Sequence, residues 1–220
     1  YGGGPVRWTW NASKQVYEHV QNYYDDYAYA FVVTGKGTGK RITTSTAPTA
    51  AAESVVTEFL DYQVYESDEY NLWHWGRSYY GDAMHGMEYK TFSFDFPNMV
   101  SSRKGWLKSE LAGRNLTPAS FEVYVDEEKK ATYSLSSTSP SGSVYAHVVG
   151  GWVSFVPQGS AVSVRLRHVS TGTSTSDGFV DYLALNAWRG LKMVGSQMAF
   201  RNPEASLSNQ VYEYRISGAS

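Results

Sequence analysis

The sequence predicts an all-β protein, a two-sheet antiparallel β-sandwich with a jelly-roll or Greek-key-like path, led by a β-meander that forms a small subdomain. Three observations carry this. Apolar residues alternate with polar ones in segment after segment, as where Phe92, Phe94 and Phe96 are set against Thr91, Ser93 and Asp95. Alternation at period two sends successive side chains to opposite faces of a strand, so one face can be buried. Turn formers such as Pro140 with Gly142 separate these segments at intervals typical of a sandwich. No stretch has a convincing helical period, and 15% aromatic residues give a 220-residue chain the bulk for a core.

In chain order, Gly2-Gly3-Gly4-Pro5 reads as a turn and residues 6–10 as a short strand with Trp8 and Trp10 on one face. Asn11-Ala12-Ser13-Lys14 makes a hairpin turn, and residues 15–20 return. A strand over residues 27–34 leads to Gly35-Lys36-Gly37-Thr38-Gly39-Lys40. That run imitates a phosphate loop, but a Walker loop needs four residues between its glycines, then Lys with Ser or Thr, then a helix. Three residues separate Gly35 from Gly39 and Arg41 follows Lys40, so a hairpin tip is expected. Residues 46–53 are small and uncharged until Glu53 and read as a joint. This sets the leading unit at 1–47 and the sandwich at 48–220, the alternative being an ordinary crossing between two sheets.

The sandwich opens with a strand over residues 55–65 and an acidic turn. Residues 106–112 form a strand closed by Gly113-Arg114-Asn115. Phe121, Val123 and Val125 share one face of the next, Glu127-Glu128-Lys129-Lys130 is a charged hairpin tip, and residues 131–135 return. After a polar loop at 136–143 come strands at 144–149, 152–156 and 161–169, with Val162, Val164 and Leu166 facing inward. Residues 170–177 are a Ser/Thr/Gly loop; residues 178–188 are almost continuously apolar, which suits a strand covered on both faces. A central strand so late in the chain must insert between earlier ones. Residues 198–200 and 210–216 finish the domain, and Lys90, Arg103, Lys129 and Arg215 guard sheet edges.

Several chemistries are excluded. There is no cysteine, hence no disulfide, thiolate metal site or cysteine nucleophile. A formal charge of −2 leaves no electrostatic footprint for nucleic acid. No apolar run reaches the length that spans a bilayer. His19, His74, His85, His147 and His168 show no close ligand spacing, and His168 reads as a buried, hydrogen-bonded core histidine. No serine sits in Gly-x-Ser-x-Gly, which leaves a stand-alone hydrolase with least support. The acidic pairs Asp25-Asp26 and Glu127-Glu128 read as solvated turns; a calcium shell there has no spacing to support it, and no cofactor is expected.

The stretch from Glu58 to Asp82 organises the chain. It starts as a strand containing Asp61-Tyr62, passes an acidic turn to Asn71-Leu72, and ends on Gly76-Arg77-Ser78-Tyr79-Tyr80-Gly81-Asp82. With residues 1–8 (Tyr1 to Trp8), 26–31 (Asp26 to Phe31) and 178–189 (Gly178 to Arg189), this ordered set resembles the region before the catalytic domain in gingipain-type cysteine peptidases, and within them the type IX secretion system sortases. The resemblance implies a non-catalytic accessory domain, scaffold-like or prodomain-like. The Cys and His machinery would lie in a peptidase domain following Ser220 in the same chain. It also implies a secreted or outer-membrane-associated parent in a Gram-negative bacterium. The opening at Tyr1 without a signal peptide reads as a piece of a longer precursor.

Trp73, Trp75, Arg77, Tyr79 and Tyr80 form the candidate binding or interdomain surface. Large rings with flanking glycines need a surface to lie on, and Arg77 suits stacking on Tyr79 or clamping a carboxylate. Protein substrates and surface glycans are the external partners such a surface would take. The alternative function is a carbohydrate-binding or adhesive β-sandwich using the same rings, and the bland reading is that they fill core volume.

Overall fold

The computed structural model describes residues 6–21, 31–39, 41, 43–44, 46–72, 78–171 and 176–219. They contain thirteen strands and one short helix. The larger sheet has the order β10 (His147–Phe155), β7 (Gly105–Asn115), β12 (Ser176–Gly190), β4 (Glu58–Glu66), with β5 (Gly81–His85) also on β12. The smaller sheet runs β6 (Tyr89–Asp95), β11 (Ala161–Ser170), β8 (Ala119–Val125), β9 (Glu128–Leu135). Every pairing in both sheets is antiparallel. The two sheets make the expected all-β sandwich. The late strands do insert between early ones: β11 separates β6 from β8, and β12 separates β7 from β4.

The core is the product of the alternation. Phe92, Phe94 and Phe96 meet Phe121, Val123, Val125, Val162, Val164 and Leu166 from one sheet, and Leu107, Leu111, Leu183, Leu185 and Ala187 from the other. Burying each large side chain contributes about 1.5–3 kcal/mol. His168 is fully buried, and its Nδ1 lies 2.6 Å from the Gly86 carbonyl oxygen, as a core histidine should be.

Two small elements lie outside the sandwich. β1 (Val6–Asn11) and β2 (Val16–Gln21) form an antiparallel hairpin, and β3 (Ser54–Val56) pairs in parallel with β13 (Tyr212–Tyr214).

β12 contains a bulge. Against β7 the register jumps from Val180 opposite Leu111 to Tyr182 opposite Glu110, leaving Asp181 over. An inserted residue reverses which side chains face the core. Val180 points inward before it, and Leu183, Leu185 and Ala187 after it. Tyr182, Ala184, Asn186 and Trp188 therefore share the outer face.

Several boundaries differ from expectation. Gly113, Arg114 and Asn115 do not close a strand, because β7 continues through them. A Cβ on Gly113 would lie 2.5 Å from the Leu135 side chain, so glycine is there for close packing. The strands expected at 144–149 and 152–156 are one strand, β10. A Cβ on Gly150 would stand 2.1 Å from the Ser109 carbonyl oxygen, so this glycine lets β10 lie against β7. The β8–β9 tip is Asp126 and Glu127, with φ of 47° and 65°, the two positive values a tight hairpin turn needs. Glu128, Lys129 and Lys130 already belong to β9.

Phe31 to Thr34 form no strand, and among the described residues no hairpin flanks Gly35 to Gly39; Phe31 is 93% exposed, so the apolar side that a strand would need is not buried. Residues 27–30 lie outside the described residues. Met198 to Phe200 are not a strand either. In their vicinity stands the unexpected helix α1 (Pro203–Leu207), capped by Asn202, whose Oδ1 accepts from the Ala205 amide at 3.2 Å. Proline at N1 and Glu204 in the first turn complete an ordinary start signal.

Candidate functional site

Of the ring-rich segment read from the sequence, Trp73, Trp75 and Arg77 lie outside the described residues. Its two ends are described and are fastened together. The Tyr70 amide donates to the Tyr80 carbonyl at 2.7 Å and the Tyr80 amide to the Tyr70 carbonyl at 2.9 Å. Tyr80 is 2% exposed and packs with Leu72, Ala112, Ala146 and Phe179, whereas Tyr79 is 42% exposed. Beyond Gly81, the Tyr65 hydroxyl donates to Asp82, and Lys90 pairs with the same carboxylate at 2.7 Å. Burial, then the Asp82 contact, pushes the Tyr65 phenol up to about 12.

A second aromatic surface is built where the β1–β2 hairpin lies on the outer face of the larger sheet. The anchor is Asn186. Its Oδ1 accepts from the Tyr17 amide at 2.7 Å and its Nδ2 donates to the Tyr17 carbonyl at 3.0 Å, all buried. Trp8 and Trp10, one face of β1 as their spacing predicts, pack on the Tyr17 ring at centroid distances of 4.8 and 5.2 Å. Arg201 lies over Trp8 at 4.4 Å, and Arg103 over Trp188 at 3.3 Å.

Between these walls is an open groove of about 430 Å³ lined by Trp10, Trp188, Arg103, Arg201, Glu58, Asn202 and Tyr212 among others. Arg103 also reaches Glu58 at 3.3 Å, while Arg201 has no ion pair among the described residues. Stacking on indoles fixes both guanidinium planes before any ligand arrives. Below the groove, Arg189 is held by Asp61 at 2.5 Å and by the Pro97 carbonyl at 2.7 Å.

Further along the hairpin the contact is polar. His19 and Glu66 meet at 2.9 Å with side chains only 1% and 8% exposed, and His19 packs on Tyr182 at 4.6 Å. Asp181, turned out by the bulge, stands near Glu110, Glu66 and Asp68; burial first, then those three charges, pushes its carboxyl up to about 7. Burial also raises the phenols of Tyr62 and Tyr182. Among the described residues, no three His, Asp or Glu side chains are grouped to hold a metal ion. Asp25 and Asp26 lie outside the described residues. Glu127 and Glu128 instead pair with Arg165 at 2.7 Å and Lys130 at 2.5 Å.

No protein-family model and no curated protein matches the chain. Solved structures do. The crystal structure of dimeric latent PorU from Porphyromonas gingivalis superposes with a TM-score of 0.75 over 90% of this chain, at 19% identity. The chain has a PorU-like fold. It spans 19% of the length of that PorU chain. Two carbohydrate-binding modules overlap more loosely. The CBM36-1 domain of a xylanase from the hindgut metagenome of Trinervitermes trinervoides gives a TM-score of 0.36 at 14% identity, covering 57% of this chain and 96% of that one. A family 35 module from Clostridium thermocellum gives 0.33 at 13% identity, covering 59% and 98%.

Within this PorU-like fold, the groove residues were not legible as a set. Trp10, Arg103, Trp188 and Arg201 are scattered over the whole chain and meet only because β12 is central and the hairpin folds back on it. One signal was available: Asn186 is a polar amide in the apolar run from Leu183 to Trp188, and a buried amide needs partners.

Proposed function

We propose that this chain is a non-catalytic accessory β domain of a surface-exposed or secreted gingipain-like cysteine peptidase of the PorU type. In this reading it scaffolds a peptidase domain of the same polypeptide and borders the path of substrates to it. The observation that carries the proposal is the PorU-like fold over 90% of the chain, in a sequence without cysteine. A thiolate nucleophile is what a cysteine peptidase requires, so that chemistry would belong to other residues of the parent. The ordered motifs at both ends of the chain favour the same parent.

The proposed interdomain surface is the segment from Trp73 to Tyr80; Tyr79 in it is exposed, and Tyr80 is fastened to Tyr70. The parent's protein substrates, its export and its origin in a Gram-negative bacterium belong to the same proposal.

The test is to read the coding sequence beyond Ser220 and purify its product. The expected outcome is an α/β domain with a His and a later Cys, and peptide hydrolysis abolished when that Cys is changed to Ala. A coding sequence that stops, or runs on as β-sandwich repeats, overturns the proposal. So does hydrolysis by the 220-residue chain alone.

A further inference from the structure

We infer that the outer face of the larger sheet holds a sugar-binding cleft, formed by Trp106 and Trp152 with Lys14, that takes a neutral pyranose with equatorial hydroxyls. The cleft encloses about 200 Å³ between Lys14, Val16 and the two indoles. It shares no lining residue with the groove.

The placement follows from register. Trp106 on β7 stands opposite Ser154 on β10, and Trp152 stands opposite Lys108. Trp152 and Ser154 are two positions apart on β10, with only Val153 between them, so all four side chains leave the same face of the sheet, with Gly105 opposite Phe155 facing the core. The tryptophans are thus diagonal neighbours, about 7–8 Å apart at the backbone, within reach of one six-membered ring. Both are half-buried, so they are fixed in place and still open to a ligand. The hairpin turn supplies the third wall, with the Lys14 ammonium 5.6 Å from the centre of the Trp152 ring.

The rim decides the ligand class. Lys14 is held by Glu18 at 3.0 Å, and Lys108 stands 3.5 Å from Glu110 on the same sheet face. The Glu18 carboxyl is lowered by its Lys14 hydrogen bond above all, with Lys108 contributing, so the two ion pairs adjoin. An aliphatic partner seated on the indoles would strip water from these charges and give nothing back. A pyranose with equatorial hydroxyls satisfies both parts. Its axial C–H face lies on the indoles, and its hydroxyls reach ammonium and carboxylate groups at the edge.

The experiment is a titration of the 15N-labelled 220-residue chain with cellohexaose, following the indole N–H signals by NMR. The expected result is saturable movement of the Trp106 and Trp152 signals with a Kd of about 1 mM. Trp152→Ala should weaken binding about tenfold. Lys14→Ala, an exposed change that leaves the fold intact, should weaken it several-fold and guards against a Trp152 variant that fails to fold. The inference is overturned if cellohexaose moves no indole signal, if movement is confined to other tryptophans, or if affinity survives both substitutions.

Discussion

Changing Asn186 to Ala removes the one side chain that bonds both backbone groups of Tyr17. Two buried hydrogen bonds contribute about 0.5–1.5 kcal/mol each, and the orphaned Tyr17 amide and carbonyl add desolvation of about 1–3 kcal/mol. Some of this is recovered if water enters the space left by the amide, so a loss of roughly 2–4 kcal/mol in hairpin docking is expected. The sandwich core does not depend on the contact, so local opening is the correct readout. Hydrogen exchange at the Tyr17 amide should accelerate about 30- to 1,000-fold, at roughly 1.4 kcal/mol per tenfold, while Phe121 and Leu185 amides keep their protection. Unchanged Tyr17 exchange would refute the idea that Asn186 holds the hairpin. Equal acceleration everywhere would show instead that hairpin and sandwich unfold as one unit.

Three further outcomes are expected. The folded-state pKa of Asp181 is raised to about 7, so the native state keeps a proton that the unfolded chain releases near 3.8. The stability tied to that proton is fully present below about pH 4 and is lost as pH rises through 7, roughly 4 kcal/mol at most; urea titrations should show the fall, and Asp181→Asn should flatten it. Phe121→Ala should cost about 3–5 kcal/mol in denaturant unfolding, because the ring is fully buried between the sheets. Gly150→Ala should cost about 1–3 kcal/mol, since its Cβ would drive β10 off Ser109; thermal unfolding within a degree of the parent would contradict that close approach.

The sandwich was legible because period-two alternation is a local signal and each inward run is buried. Phe92, Phe94 and Phe96, or Val162, Val164 and Leu166, needed no knowledge of their partners. What escaped were features set by a neighbour strand. Gly113 and Gly150 look like turn residues in sequence, yet each sits inside a strand because another chain segment comes close. The β12 bulge left a trace: inward residues fall on even numbers at Gly178 and Val180 and on odd numbers at Leu183, Leu185 and Ala187. Continuous apolarity hid that switch, since both faces of the strand are covered. The Asn202-Pro203-Glu204 start signal was equally present, but five residues are too few to establish a helical period.

That bulge is what ties the sequence to the surface. Were β12 to run past Val180 with Asp181 paired as an ordinary strand residue, Leu183, Leu185 and Ala187 would face outward, and Asn186 and Trp188 would be driven into the core. With the bulge, Asn186 faces out to hold the hairpin, and Trp188 faces out to carry Arg103. The docked hairpin then divides the sheet's outer face. Trp10 from β1 lines the arginine groove, while Lys14 and Val16, at the turn and the start of β2, line the Trp106–Trp152 cleft. Both surfaces therefore depend on the face that β12 presents after Val180 and on one side-chain amide. Deleting Asp181 leaves Val180, Tyr182 and Leu183 in plain alternation with their partners on β7 unchanged, so sugar binding and hairpin docking should both survive, an outcome readable from the indole signals and the Tyr17 exchange rate in one sample. Loss of either would mean that the bulge itself, and not the alternation of side chains around it, sets that surface.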